Sequence, residues 1–310
     1  MNRYRIVHTT VYHYHEPVAV SNNHIHLVPR NLPHQRLLEH VLETKPEAVA
    51  VNSYLDWFGN TAGTFAIERP HRELIVTSRS LVEREAPFHV DPAATWPWEA
   101  LARAIAGNDP QLHRIAEFTW PSHLVPAARE LSEFAAVSAA PGRPVLDLAL
   151  DLSNRIYRGF TYDAKATAVN TPVVEVLRLR RGVCQDFALV LIGALRALGL
   201  PARYVSGYLE TVPLPGQVRL VGADASHAWV QVHTGDPNLG VDGWVDLDPT
   251  NGCIAGARHI TVAWGRDFSD VSPLKGMILG GGQAQVSVSV DVAPQGPTSG
   301  PPHSQSQSQG

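Results

Sequence analysis

Cys184 stands in the run Arg180-Arg181-Gly182-Val183-Cys184-Gln185-Asp186-Phe187. After it, Phe187, Leu191, Ala194, Leu195 and Leu198 recur at helical spacing, and Gly199 and Pro201 close the pattern. The spacing predicts a helix that opens near Cys184. Unpaired backbone N–H groups and the helix dipole favour an anion at such an end, here the thiolate that attacks carbonyl carbon. Taken alone, a free cysteine is more commonly a small packed hydrophobe. The other cysteine, Cys253, has no such helix start and reads as a packed or surface thiol.

A base and its orienter are on hand downstream. Ser226–His233 alternates, so His227, Trp229, Gln231 and His233 share one face of a strand, and Gly243–Asp248 alternates with Trp244, Asp246 and Asp248 on one face. If the two strands pair antiparallel with His227 opposite Asp248, then Val232 faces Gly243, and 233–242 is the loop. Opposed residues have Cβ atoms about 4.5–5.5 Å apart, close enough for an imidazole to meet a carboxylate. A two-residue slip puts Asp246 opposite instead, so spacing leaves the two carboxylates open. Asp248 in Asp-Pro-Thr also reads as a turn former.

Four blocks in order carry a family resemblance: Gly182–Phe187, Arg196–Tyr208, Ser226–Trp229, and Gly243-Trp244 with Asp248–Asn251. Together they resemble the transglutaminase-like superfamily, and in particular a bacterial branch described as cysteine proteases. The catalytic stretch spans about 144–260, and the strand-rich region before it resembles the β-rich domain that precedes the core in this branch. The resemblance implies an α+β fold, a papain-like transglutaminase-type core behind an antiparallel β domain. It implies Cys184 as nucleophile, His227 as general base and acid, and Asp248, not Asp246, as the carboxylate orienting His227. It further implies a thioester intermediate on a peptide or protein amide, with the oxyanion held by the Cys184 N–H and one upstream donor. Tyr162 is the candidate donor, and core packing of a strand aromatic serves its phenol equally well. No D-x-D-x-D-G calcium loop is present, so calcium dependence is not carried over.

The elements that must position these groups fall into four stretches. Residues 1–88 form an N-terminal β-rich domain, with strands at Arg3–His8, Thr10–Tyr14, Leu74–Val76 and Ser80–Val82. Residues 95–268 form the core with a helical lead-in. There Val145, Leu148, Leu152 and Ile156 make one face, Pro126–Val137 fits a helix, and Thr171-Pro172 starts another that Gly182 ends. Strands follow at Ala202–Leu209, His227–His233 and Gly243–Asp248. Residues 269–292 supply a last strand, with Val286, Val288, Val290 and Val292 alternating. Residues 293–310, rich in Pro, Gly, Ser and Gln, read as a disordered tail.

Composition narrows the function classes. Of 310 residues 44% are hydrophobic and 17% charged, with a net charge of −4, so a large core is available and a basic nucleic-acid or membrane surface is not. No apolar signal segment is visible near the start, and the longest apolar run, 187–195, is far short of a span, which points to a reducing, cytoplasmic setting. His13 and His15, or His24 and His26, share strand faces, but no third ligand completes a metal site, so no metal and no cofactor is expected. Arg178, Arg180, Arg181 and Arg203 read as solvated charge, and Gly280–Gly282 lacks the helix of a phosphate loop. The expected function is thiol-dependent hydrolysis of a peptide or isopeptide. Acyl transfer to an amine is the enzymatic alternative, and a non-catalytic binding scaffold is the rival of another class. Substrate identity and oligomeric state stay open.

Overall fold

In the computed structural model, residues 2–87, 89–211 and 226–295 are described. The N-terminal region is antiparallel: β1 (Asn2–Ile25), β2 (Gln35–Lys45), β3 (Val51–Leu55), β4 (Thr61–Ile67) and β5 (His71–Arg84). The strand pairs expected at Arg3–Tyr14 and Leu74–Val82 are each one continuous strand, β1 and β5. Pro17 lies where the β1–β5 register shifts, between His13 and Val18, the kind of irregularity at which a missing N–H is tolerated.

A helical layer follows: α1 (Trp98–Ala106), α2 (His113–Ala116), α3 (Arg129–Ala136) and α4 (Val145–Gly159). Val145, Leu148, Leu152 and Ile156 of α4 are all fully buried, as an apolar helical face should be. Beyond α4 come β6 (Thr161–Tyr162), α5 (Val173–Leu179), β7 (Arg181–Gly182) and α6 (Cys184–Ala197). The helix expected to run from Thr171 to Gly182 is shorter at both ends. Pro172 caps it, and Arg180 stops it in the left-handed conformation at φ 53°. That early stop frees Arg181 and Gly182 to pair in parallel with Thr161 and Tyr162.

The core sheet contains β8 (Ala202–Leu209), β9 (Ser226–His233), β10 (Trp244–Asp248), β11 (Cys253–Ile254) and β12 (His259–Gly265), in the order β11-β10-β9-β8-β12. One face packs on α6, whose Ala188 and Val190–Ile192 are fully buried. After β12 come α7 (Phe268–Val271), β13 (Leu274–Gly280) and β14 (Ala284–Gln295).

The last two strands return to the N-terminal sheet. β14 pairs along β1 from Tyr14 to Arg3, and β13 pairs along Val18–Ile25 of β1. The N-terminal sheet is therefore completed by chain ends far apart in sequence, which no local pattern announces. Residues 293–295, assigned from composition to a disordered tail, continue β14 opposite Arg5, Tyr4 and Arg3. Strand pairing overrides their composition there, and the rest of that expected tail, 296–310, lies outside the described residues.

Two side-chain amides join sheet to sheet. β12 is an edge strand, and edges expose unpaired backbone groups. Gln35 donates to the Thr261 carbonyl at 2.7 Å and accepts the Thr261 N–H at 2.9 Å. Asn60 does the same with Trp264, donating at 2.8 Å and accepting at 2.9 Å. The edge is thus sealed by the N-terminal region, and the outer face of the core sheet is covered by Leu32 and Phe58.

Candidate active site

Helix α6 places Cys184 at its first residue, with Val183 in extended conformation as the cap. Sequence reasoning did not use Asp186, two residues on, yet it fixes this helix start. Its Oδ2 accepts the Val183 N–H at 2.8 Å and the Thr167 hydroxyl at 2.6 Å. A carboxylate at the third helical position satisfies one free N–H and suits the positive end of the dipole. Burial pushes the Asp186 carboxyl up, against the pull of those two hydrogen bonds.

The register of β9 and β10 differs from the expected one by two residues. Trp244 pairs with His233 and Asp246 with Gln231. Gly243 is not in the ladder: its φ is +84°, and a Cβ there would collide with the His233 ring, so it belongs to the turn. The shift runs away from Asp246. Asp248 becomes the diagonal neighbour of His227, and the ring spans the gap with Nε2 donating to Asp248 Oδ2 at 2.7 Å. Asp246 is engaged elsewhere, accepting the Trp229 indole N–H at 2.6 Å and the Gln231 amide at 3.1 Å.

Cys184 acts on the same ring, and with Asp248 it pushes the His227 pKa up against burial. Because Nε2 is taken by Asp248, Nδ1 is the ring nitrogen left for the sulfur. Thiol, imidazole and carboxylate are therefore brought to one place from a helix start, a strand start and a strand end. Burial alone would lower the His227 pKa. The hydrogen bonds to Asp248 and Cys184, with their charges, outweigh it and push it up to about 10. Burial would likewise raise Asp248, which is fully buried. Hydrogen bonds from His227, His259 and Asn251 overcome this and hold it well below the usual carboxylate range.

His259 is the second residue that sequence reasoning missed. Its Nδ1 accepts the Gly256 N–H at 3.2 Å, which leaves a proton on Nε2 to donate to Asp248 Oδ2 at 3.0 Å. Asn251 Nδ2 donates to the same oxygen at 2.6 Å, and Asp248 Oδ1 accepts the N–H groups of Thr250 and Asn251 at 2.9 and 3.1 Å. The Asp-Pro-Thr-Asn segment is thus both turn and carboxylate clamp. Only the contact across strands could have revealed His259. His227, Asp248 and His259 offer ligand atoms within 4.8 Å of one another, spacing that a cation could use. Both rings and Asn251 are already directed at Asp248 Oδ2.

Tyr162 lies beside this group, on β6 opposite Gly182, with its ring edge-on to Phe187 at 6.5 Å. It is 58% exposed, so it is not core, and burial followed by the charges of Cys184 and Asp186 raises its pKa. Cys253 sits on β11 opposite Asp248. Of the histidines weighed as metal ligands, His13 meets Glu73 at 3.1 Å, His24 meets Tyr54 at 2.8 Å and His26 meets Asp56 at 3.1 Å. Among the described residues no helix is long and apolar enough to cross a membrane.

Two family models match the chain: residues 4–83 match the bacterial transglutaminase-like N-terminal region, and residues 133–249 match the transglutaminase-like superfamily. An uncharacterized protein of Mycobacterium tuberculosis is 43% identical over 300 residues, covering 94% of this chain and 93% of the relative. A protein-glutamine gamma-glutamyltransferase of Pseudomonas aeruginosa is 30% identical over 175 residues, 56% of this chain and 24% of that protein. The crystal structure of a putative cysteine protease from Cytophaga hutchinsonii superposes with a TM-score of 0.69 at 17% identity, over 94% of this chain and 90% of that one.

Proposed function

The chain belongs to the transglutaminase-like superfamily, and on that premise we propose that it is a cysteine hydrolase of peptide or isopeptide bonds, working through Cys184, His227 and Asp248. The observation that carries this reading is the position of His227. One ring nitrogen is held by a buried carboxylate at 2.7 Å, and the other is free for the thiol at the start of α6.

In this reading the Cys184 thiolate attacks the amide carbonyl, forming a carbon–sulfur bond and an oxyanion. The Cys184 N–H at the helix start and the Tyr162 hydroxyl stabilise that oxygen. His227 passes its Nδ1 proton to the departing nitrogen as the carbon–nitrogen bond breaks, leaving a thioester. Water then attacks, its proton goes to His227, and the carbon–sulfur bond breaks to release the acid. Asp248 keeps the ring oriented and balances its charge, and His259 and Asn251 hold Asp248. A free thiol of this kind suits the reducing cytoplasm expected from the sequence.

The relative described as a glutamine gamma-glutamyltransferase supports a second outcome at the same thioester, attack by an amine in place of water. Both are tested together. The protein is incubated with glutamine-containing peptides, with and without a primary amine such as monodansylcadaverine, and products and protein are weighed by mass spectrometry. An acyl adduct on Cys184, labile to hydroxylamine, with acid as the main product supports hydrolysis. A dominant amine conjugate moves the assignment to acyl transfer. Turnover that survives Cys184→Ala would overturn the thiol mechanism.

A further inference from the structure

The outer face of the core sheet carries a second polar arrangement, away from the thiol. Arg203 of β8 lies four residues from Gly207, the partner of His227, so about 13 Å separates them along the strand. The Arg203 guanidinium centre stands 3.8 Å from the Trp264 ring centre and 4.0 Å from that of Trp244. Its Nε donates to Gln231 at 2.7 Å, and among the described residues its terminal nitrogens have no hydrogen bond. Arg203 is 7% exposed, and burial pulls its pKa well below the ordinary value.

Those nitrogens are not sealed in. Arg203 lies on the wall of a groove of about 700 Å³ that Trp57, Phe58, Phe118, Trp120 and Trp264 also line. Trp57 and Trp120 of its lining are 83% and 62% exposed, large aromatic surface left in water. Asp246, which holds the Gln231 amide at 3.1 Å, and Asp242 act on Arg203 by their charge without lining the groove. Arg114 and His113 join Arg203, and the one carboxylate lining it, Glu117, is bonded to the Trp57 indole at 3.1 Å. Trp264 carries a second guanidinium, Arg30, at 3.5 Å. Among the described residues neither arginine has a carboxylate within 4.0 Å.

We propose that this groove is a binding site for an aromatic carboxylate, its ring lying among Phe118, Trp120 and Trp57 and its carboxylate on the terminal nitrogens of Arg203. A guanidinium fork fits a carboxylate edge-on while its faces stay stacked on the indoles. Aromatic walls with one buried charge among them make a pocket that orients an acid by its ring and its carboxylate, and a volume of this size suits a small ligand. The site is independent of the catalytic reading above, because it shares no side chain with it.

The test uses the whole chain carrying Cys184→Ala, so that nothing is turned over, with binding followed by tryptophan fluorescence. The probes are N-acetyl-L-phenylalanine and N-acetyl-L-phenylalaninamide, which differ only in the carboxylate. The acid should bind saturably and the amide about tenfold more weakly, the worth of one charge-assisted hydrogen bond. Trp120→Ala, at an exposed position that folding does not need, should weaken the acid by about tenfold through lost stacking. Arg203→Lys, checked for an unchanged melting transition, should abolish the preference for acid over amide. Equal binding of acid and amide, saturable binding by neither, or unchanged affinity in Trp120→Ala would each overturn the assignment.

Discussion

His259 Nε2 lies 3.0 Å from Asp248 Oδ2, the same oxygen that takes His227 Nε2 at 2.7 Å. The carboxylate is therefore held from two sides by imidazoles on strands that are not neighbours, β9 and β12. His259→Phe removes that support while keeping the ring's bulk. Loss of a hydrogen bond to a buried carboxylate predicts a fall in kcat of about 10- to 100-fold with KM little changed. His259→Gln, able to donate from a similar reach, should recover part of it. Steady-state kinetics on the peptide substrate decide the point, and a change in KM alone would contradict a positioning role.

Cys184→Ala should leave no turnover and little change in stability. The side chain is half-buried at a helix start and is replaced by a good helix former of smaller size. Circular dichroism melting alongside the activity assay checks both halves. Asp248→Asn should also lose most activity, because an amide cannot balance the imidazolium and can favour the wrong tautomer.

Stability should track the His227–Asp248 pair with pH. The folded pKa of His227, raised to about 10, lies above its ordinary value of 6.5. Its contribution is therefore complete below pH 6.5 and lost as pH rises towards 10. Asp248 is displaced the other way, so its contribution is present above its ordinary 3.8 and lost as pH falls below that. The Tm difference between wild type and His227→Gln should be largest between about pH 4 and 6.5 and shrink on the alkaline side. A difference that grows above pH 7 would contradict the pairing.

Gly243→Ala should cost about 1–3 kcal/mol in urea unfolding. The backbone there has φ +84°, and a methyl would collide with His233. Gly243 ends the loop that sets the β9–β10 register, so the same variant should slow catalysis by displacing Asp248 relative to His227. A neutral effect on both would mean that the turn does not govern the register.

Local patterns made much of this legible in advance. The apolar stripe of α6 and the alternation of β9 and β10 placed Cys184, His227 and Asp248 on their elements, because each element buries one face against the same core. Choosing Asp248 over Asp246 needed family resemblance, since either carboxylate satisfies the alternation. The register was misjudged because Gly243 reads as a strand residue by position and as a turn residue only by its φ. His259 and the partners of Asp186 are tertiary contacts and leave no periodic trace. Nor does the return of β13 and β14 to β1, which joins residues about 250 or more apart in sequence.

The most direct test of the central claim is the rate at which iodoacetamide labels Cys184 near neutral pH, followed by mass spectrometry in wild type and in His227→Ala. Cys253 reports general thiol access, although partial burial and the charge of Asp248 hold its pKa up, so the decisive comparison is at Cys184 itself. A thiol paired with His227 should label quickly in the wild type and at least about tenfold more slowly without the imidazole. Labelling of Cys184 at the same rate in both proteins would contradict the pair and the catalytic account built on it.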